Sequence, residues 1–245
     1  MGQVLAIVSG KGGTGKTSLC AAIACALARM EQKVLCIDAD VGLRNLDISL
    51  GMSQEPALPF TGIMSGEYSL EKAAIHPTLS CLHFLTAPVT LQPEDLDKDA
   101  FSSMLDAAKE LFDFILIDAP AGIGAGFQMS VQMADLAIVV TGGDPAALRD
   151  GTRTVQAMEQ ISQAEAKIVV NRIRRRFFQK LRFTVDDCMD TVGLPLLGIV
   201  PEDEAVYLSA ASGKSLTRSG KKSAYAACEN IAMRILGKKA ALLDI

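Results

Sequence analysis

The amino-acid sequence predicts a doubly wound α/β fold, in which helices cover both faces of one mostly parallel sheet. Short apolar segments alternate with helix-like segments along most of the 245 residues, and this alternation is typical of a buried parallel sheet. Two of the apolar segments end in aspartate, at the strand ends where such sheets bind ligands. The length favours one domain at residues 1–236, followed by a short tail at 237–245.

The predicted elements follow from where the apolar runs begin and end. A first strand at residues 4–9 leads through a glycine-rich loop into a helix at 16–30. Further strands are predicted at 33–38, 82–85, 114–118, 136–141, 167–171 and 195–200. Helical segments are predicted at 61–65, 69–75, 100–111, 145–162, 185–192, 202–212 and 222–236, and one more follows the glycine-rich loop 119–126 and ends near 133. Residues 41–51 are predicted to form an irregular, polar loop.

The loop after the first strand has the spacing G-x-x-x-x-G-K-[ST], from Gly10 to Thr17. Between a strand and a helix, this spacing predicts a phosphate-binding P-loop. Glycine lets backbone N–H groups converge on phosphate oxygens, and the helix N-terminus adds unpaired donors. Lys16 is expected to reach the β- and γ-phosphates, and the Thr17 hydroxyl to ligate Mg²⁺. The predicted nucleotide contacts of this segment are Gly10, Lys11, Gly12, Gly13, Thr14, Gly15, Lys16, Thr17 and Ser18.

Acidic residues at two predicted strand ends complete the site. Asp118 closes an apolar strand and by its position fits the second, metal-organising carboxylate that a P-loop needs. Asp38 and Asp40 follow the strand at 33–38 and are predicted to lie at the same edge of the sheet. One of them is available to orient the attacking water. The alternative for Asp38 is a turn or helix-capping acid.

The composition argues against several classes of function. The net charge of −4 argues against wholesale electrostatic binding to nucleic acid, and the longest apolar run, residues 19–28, is too short to cross a bilayer. Six cysteines show no C-x-x-C spacing, and most lie in apolar patterns where free cysteine is a small buried hydrophobe. No signal peptide opens the sequence, so we expect a cytoplasmic protein. Cys81 and His83 give a weak metal signal, and packing is the preferred interpretation for His76 and His83.

A second lysine in the loop, Lys11, cannot easily reach the γ-phosphate that Lys16 is predicted to occupy. At this point the sequence resembles the MinD/ParA family of deviant Walker A ATPases, whose loop reads K-G-G-x-G-K-[ST]. The segment 38–47, D-A-D-V-G-L-R-N-L-D, is similar to the MinD branch in particular. The segments D-A-P-A-G at 118–122, N-R at 171–172 and P-E-D at 201–203 resemble further motifs of the family. The resemblance covers nearly the whole chain.

The resemblance implies an ATPase that uses ATP and Mg²⁺ and forms a homodimer with ATP sandwiched between the subunits. Lys11 would cross to the partner's nucleotide, and Asp40 would position the attacking water. The implied catalytic residues are Lys11, Lys16 and Asp40, and the implied metal residues are Thr17, Asp38 and Asp118, the two aspartates acting through water. Further implied nucleotide contacts are Gly122 near the γ-phosphate, and Asn171, Arg172, Pro201, Glu202 and Asp203 around adenine. Arg44, Asn45 and Asp47 would belong to the surface that responds to nucleotide and partners.

The resemblance also implies a role in placing the division site. The implied partners are a MinC-like division inhibitor and a MinE-like or other activator, which would stimulate slow intrinsic hydrolysis. ATP would drive association with the inner face of the cell membrane, and hydrolysis would release the protein to the cytoplasm. After Gly237 closes the last helix, Lys238 and Lys239 could meet anionic headgroups, while Leu242, Leu243 and Ile245 insert.

Two alternatives are compatible with the sequence. A partition ATPase of the same family would bind DNA non-specifically through the basic segment 172–182, which interleaves with Phe177, Phe178 and Phe183. A solvated surface with inward phenylalanines is the preferred interpretation of that segment. A flagellar-placement regulator would share most motifs. Iron–sulfur carriers of the family need a C-x-x-C, and its tyrosine kinases need a tyrosine cluster, and the sequence has neither.

Overall fold

A computed structural model describes residues 1–41, 43–89, 91–181, 183–216 and 220–243. The strands are β1 Gln3–Val8, β2 Val34–Asp38, β3 Ala74–His76, β4 Leu79–Leu85, β5 Phe114–Asp118, β6 Leu136–Thr141, β7 Glu165–Ile173 and β8 Leu196–Pro201. They form an eight-stranded sheet in the order β3-β4-β2-β5-β1-β6-β7-β8. Neighbouring strands are parallel except β3 and β4, which pair antiparallel.

Helices cover both faces of this sheet. The helices are α1 Lys16–Arg29, α2 Leu46–Leu50, α3 Phe60–Met64, α4 Lys98–Leu111, α5 Ala125–Gln132, α6 Pro145–Glu159, α7 Arg175–Leu181, α8 Val185–Val192, α9 Glu204–Ala211 and α10 Ala224–Ile235, with short 3-10 turns at Leu70–Lys72 and Pro93–Asp95. Alternate residues of β1 face opposite sides: Leu5 and Ile7 join the core that includes α1 and α10, whereas Ala6 and Val8 join the core that includes α5 and α6. The predicted doubly wound α/β fold is therefore confirmed.

Two local predictions are wrong. Residues 41–51, predicted as an irregular loop, contain the short helix α2, because Leu46 and Leu50 lie four residues apart and are both buried in the core beside α1. The predicted helix at 69–75 is a 3-10 turn at Leu70–Lys72 followed by β3, which pairs with β4. Both elements depend on partners distant in sequence, which a local pattern does not contain.

The C-terminal tail folds back along α10. Gly237 has a φ of 71° and its N–H donates to the carbonyl oxygen of Arg234, so it closes the helix as the sequence predicts. The guanidinium of Arg234 then donates to the carbonyl oxygens of Ala240, at 2.9 Å, and of Leu197 in β8, at 2.8 Å. Nδ2 of Asn230 donates to the carbonyl oxygen of residue 241.

This docked tail differs from the predicted membrane-inserting segment. Residues 238–243 have no helical structure. The side chain of Leu243 packs against the core, while Leu242 is 49% exposed. Ile245, also predicted to insert, lies outside the described residues. In this conformation one of the predicted insertion residues, Leu243, is already partly buried against the protein itself.

Candidate nucleotide-binding site

Strand ends form a row at the carboxyl edge of the sheet. The register pairs Ile37 of β2 with Leu85 of β4, and Asp38 with Asp118 of β5. On its other side β5 pairs with β1, which leads into the P-loop. The structure thus brings both aspartates and the P-loop to one edge, which is the ligand-binding edge of open α/β sheets.

Glycines shape the P-loop. Gly15 has a φ of 85° and precedes α1, a helix whose N-terminus no side chain caps. The first N–H groups of α1 therefore remain available to an anion. A Cβ on Gly15 would lie 2.4 Å from Nδ2 of Asn171. A larger residue would therefore clash with Asn171 and would also oppose the positive φ. Gly12 and Gly13 face open space, which leaves room for phosphate groups beside the loop.

Lys16 is buried and paired with an aspartate of the neighbouring strand. Its ammonium donates a hydrogen bond to Oδ1 of Asp118 at 2.8 Å, and the two side chains are only 6% and 1% exposed. The Thr17 hydroxyl lies beside Asp118 and favours its charged form. Burial raises the pKa of the Asp118 carboxyl, while Lys16 and Thr17 oppose the rise. A nucleotide would therefore compete with Asp118 for the lysine that is predicted to bind its phosphates.

Asp38 serves as an anchor for the loop that follows it. Its Oδ1 accepts from the N–H of Asp40 at 3.0 Å, and its Oδ2 accepts from the N–H of Leu46 at 3.1 Å, the first residue of α2. These are the contacts of the turn and capping role that the sequence offered as the alternative. Each oxygen keeps a second lone pair for a metal-bound water, so the two roles are compatible.

Negative charge accumulates at this edge. Burial and the nearby charge of Asp118 raise the pKa of Asp38 to about 6. Burial also raises the pKa of Asp40, which is half-buried, and Lys16 opposes that rise. Asp38, Asp40 and Asp118 thus bring three carboxylates to this edge, where Lys16 pairs with Asp118, and a cation would relieve their mutual repulsion.

The donor set fits a magnesium ion that arrives with a nucleotide. Within the described part of the chain, no group of three or more His, Cys, Asp or Glu side chains is arranged to hold a metal by itself. Mg²⁺ normally takes one or two carboxylates and completes its shell with water and substrate phosphates. Thr17, Asp38 and Asp118 offer a hydroxyl and two carboxylates of that kind.

Lys11 lies on the outer side of the loop. Its side chain is 45% exposed, and its ammonium lies 3.5 Å from Oδ2 of Asp150 in α6. The two loop lysines therefore differ: Lys16 is buried in the site of its own subunit, and Lys11 is at the surface. Sequence reasoning missed Asp150, because it stands in the middle of a helix and outside any motif.

The end of β7 holds the P-loop from the side. Nδ2 of Asn171 donates to the carbonyl oxygen of Thr14 at 2.8 Å, and the Arg172 guanidinium donates to that of Gly13 at 3.0 Å. Arg172 has a φ of 57°, and its N–H donates to Oδ1 of Asn171. After these bonds the Asn171 amide can still donate one hydrogen bond and accept one. N7 and the amino group of adenine would use that pair.

A cavity of about 660 Å³ opens between Asn171, the start of α1 and the turn after β8. Of the predicted nucleotide contacts, its lining contains Gly15, Ser18, Asn171, Arg172, Pro201, Glu202 and Asp203. The volume is within the range of small-ligand pockets. The predicted adenine contacts therefore surround one space adjoining the P-loop.

Two acids of the turn after β8 organise this cavity. The carboxylate of Asp203 accepts from the N–H groups of Ala205 and Ala224, both at 2.9 Å, and so ties the starts of α9 and α10 together. Glu202 accepts hydrogen bonds from the Arg174 guanidinium. Sequence reasoning placed Arg174 in a basic surface segment and missed this pairing. Both acids thus have structural partners, and the cavity is bordered by a fixed turn.

Gly122 and Thr14 bear on how the site accepts phosphate. Gly122 has a φ of 88°, and its N–H donates to the carbonyl oxygen of Ser9, so it would have to exchange this partner to reach a γ-phosphate.

Oγ1 of Thr14 is buried and has no hydrogen-bond partner among the described residues. An unsatisfied buried hydroxyl costs about 1–3 kcal/mol. A ligand that supplied the missing hydrogen bond would relieve this cost.

The weaker sequence signals are explained by packing. His83 packs edge-on against Phe112, and Nε2 of His76 hydrogen-bonds the carbonyl oxygen of residue 50. Five of the six cysteines are buried free thiols, and Cys81 is half-buried. In the basic segment, Phe178 packs edge-on against Phe183 and both contact the core, as preferred, whereas Arg182 lies outside the described residues.

Comparison with known proteins shows the family of the chain. Residues 5–216 match the family model described as the CobQ/CobB/MinD/ParA nucleotide binding domain. The chain is 36% identical to the septum site-determining protein MinD of Synechocystis sp., over all of this chain and 93% of that protein. The chain belongs to the MinD/ParA family. It is a MinD-like ATPase, and its function lies in the placement of the division site.

Solved MinD structures have the same fold. The model superposes with a TM-score of 0.89 on MinD from the MinC:MinD cell division protein complex of Aquifex aeolicus, at 32% identity and with 98% of each chain covered. MinD of Pyrococcus horikoshii, solved in complex with Mg-ADP, gives a TM-score of 0.81 at 27% identity, with 96% of each chain covered. The prediction of a MinD/ParA-type P-loop ATPase is confirmed.

None of the helices in the described ranges combines the length and the apolar character that crossing a bilayer requires.

Proposed function

We propose that ATP joins two copies of this MinD-like ATPase through the P-loop edge and that hydrolysis separates them. The observation that supports this is the unequal placement of the two loop lysines: Lys16 is buried against Asp118, whereas Lys11 is half-exposed on the outer side. An outward cation can neutralise phosphate charge on a second subunit's nucleotide, as an arginine finger does. Its present ion pair with Asp150 is partly exposed and is worth only about 0–1 kcal/mol. A triphosphate would easily replace it.

Within each subunit, the proposed roles follow from position. Lys16 exchanges Asp118 for the β- and γ-phosphates, which leaves Thr17, Asp38 and Asp118 to hold Mg²⁺ or its water ligands. When bound, Mg²⁺ supplies positive charge that neutralises the phosphate oxygens during transfer. Asp40 lies beside these groups on a half-buried loop and orients the attacking water.

The remaining predicted contacts select and seat the nucleotide. Asn171 reads adenine with its remaining donor and acceptor capacity, and Arg172 with residues 201–203 borders the base. The uncapped first turn of α1 receives the phosphates. The N–H of Gly122 moves from Ser9 to the γ-phosphate, which makes this loop sensitive to whether ATP or ADP is bound.

The proposed partners follow from the family. A MinC-like inhibitor would bind this chain as MinC binds MinD in the Aquifex complex. A MinE-like or other activator would stimulate slow intrinsic hydrolysis. ATP-dependent association with anionic membrane would use the tail, where Lys238 and Lys239 are exposed. Two tails on one dimer would act together through their effective concentration, and each would first have to leave its docked position.

The oligomeric state of an Asp40→Ala protein tests the sandwich. This variant lacks the proposed water-orienting carboxylate, so it should keep ATP bound and give a dimer by size exclusion with light scattering. The same variant should be a monomer with ADP. Adding Lys11→Ala should keep it monomeric with ATP bound, whereas the exposed control Lys72→Ala should leave the dimer intact. If Asp40→Ala remains monomeric with ATP bound, the sandwich proposal fails.

Liposome co-sedimentation tests the tail. The full chain should sediment with anionic vesicles in ATP and much less in ADP, and a chain ending at residue 236 should not sediment in either. Equal sedimentation of the truncated chain would place the membrane contact elsewhere.

A further inference from the structure

We propose that Thr86 and Arg44 are positioning residues for Asp40. They hold the loop after β2, which carries Asp40, in the geometry in which Asp40 orients the attacking water. Nε of Arg44 donates a hydrogen bond to Oγ1 of Thr86 at 2.9 Å. Thr86 directly follows β4 and is contained in no nucleotide-binding motif of the sequence. The inference rests on the proposed role of Asp40 in orienting the attacking water.

Thr86 is a rigid anchor. It is 3% exposed, its N–H donates to the carbonyl oxygen of Leu58 at 3.0 Å, and its carbonyl oxygen accepts from the N–H of Phe60 at 2.9 Å. Because Ile37 pairs with Leu85, Thr86 leaves β4 at the level where Asp38 ends β2. Its hydroxyl is therefore a fixed point beside the row of strand ends that forms the site.

Arg44 has a backbone conformation that the rest of the structure must hold in place. Its φ is 45°, in the left-handed region that a residue with a Cβ rarely adopts. Residues in this conformation persist where surrounding contacts hold them in place, and they are concentrated in functional loops. The Arg44 N–H donates to the carbonyl oxygen of Asp40 at 3.3 Å, so this conformation closes the turn that carries Asp40. The bond to Thr86 ties the side chain of the same residue to the sheet.

Asp40 is thereby held through both of the peptide groups that flank its Cα. Its N–H donates to Oδ1 of Asp38, and its carbonyl oxygen accepts from Arg44. Loss of the Thr86 hydroxyl would free the Arg44 side chain and so weaken the second restraint, while the first would remain. The P-loop and the adenine cavity would be unaffected, because none of their described contacts involves Thr86. The expected consequence is slower turnover with unchanged nucleotide binding.

Substitution of Thr86 separates the hydroxyl from the volume of the side chain. Thr86→Val removes the acceptor, and we expect kcat to fall about tenfold, as for loss of a hydrogen bond to a charged group, with KM and ATP affinity unchanged. Thr86→Ser keeps the hydroxyl and should retain wild-type kcat. Arg44→Met, which has no donor at the position of Nε, should lower kcat, and the double variant Arg44→Met with Thr86→Val should be no slower than the slower single variant, because both remove the same bond.

Each other outcome overturns the proposal. Wild-type kcat in Thr86→Val, or an equal loss in Thr86→Ser, would show that the tether does not act on turnover. Losses that multiply in the double variant would show that Arg44 and Thr86 act independently of their shared bond. Melting temperatures of all variants, measured in parallel, set an assay temperature at which each is folded. Asp40→Ala in the same assay keeps the two ideas distinct. Wild-type turnover by Asp40→Ala would refute the water-orienting role, whereas an inactive Asp40→Ala with an unaffected Thr86→Val would refute only the tether.

Discussion

The buried pair of Lys16 and Asp118 makes a quantitative prediction about stability without nucleotide. Asp118→Asn keeps the shape of the side chain and leaves a buried ammonium, 6% exposed, without its counter-charge. Breaking such a pair costs about 3–5 kcal/mol, and we expect the lower end because the amide oxygen can still accept a hydrogen bond. For a domain of this size about 3 kcal/mol corresponds to a fall in Tm of roughly 6–12 °C.

A double variant isolates the charge from the packing. Lys16→Met with Asp118→Asn removes both charges, and it should recover most of the loss, because replacing a buried pair is often close to neutral. The exposed control Asp106→Asn, whose partner Lys109 lies on the same helix, should change stability by less than about 1 kcal/mol.

Thermal and urea unfolding in the absence of nucleotide measure these differences. ADP without Mg²⁺ should raise the Tm of Asp118→Asn more than that of the wild type, since its phosphates replace the missing negative charge. Equal stability of the single and double variants, or a single variant as stable as the wild type, would refute the claim that Asp118 neutralises Lys16.

Three further predictions concern the base, a buried histidine and the tail. Asn171→Ala should weaken the binding of ATP and ADP alike by about tenfold or more in titration calorimetry, because it removes the bond to the P-loop and the hydrogen bonds proposed to adenine. Burial lowers the pKa of His76, so the unfolded chain binds a proton more readily than the folded protein and protonation favours unfolding. The Tm should therefore fall as the pH drops below about 6.5. The Tm of His76→Gln, which does not titrate, should fall less over the same pH range. Arg234→Ala removes the donor to the carbonyl oxygen of Ala240 and should speed hydrogen exchange in residues 238–243. The exposed control Arg149→Ala should leave that exchange unchanged. Unchanged exchange in Arg234→Ala would mean that other contacts hold the tail.

The sequence alone was sufficient to predict the fold class and which residues gather at the carboxyl edge of the sheet, because both are encoded locally. Alternating apolar runs specify buried strands whatever their partners, and the P-loop spacing concentrates its chemistry in eight consecutive residues, Gly10 to Thr17. Asp38 and Asp118 were identifiable for a related reason. A carboxylate directly after an apolar strand must lie at the edge of the sheet, so its position follows from the strand alone.

Only the tertiary structure decided how the charged groups of this site are paired. Lys16 bonds an aspartate 102 residues away, and Arg44 bonds a hydroxyl 42 residues away. The partner of Lys11 lies in a helix without a motif, and the tail docks on the edge of the sheet through Arg234. These pairings depend on which strands become neighbours and on how far burial favours one partner over water. A local sequence pattern contains neither the strand order nor the degree of burial, because both arise only when distant segments pack together.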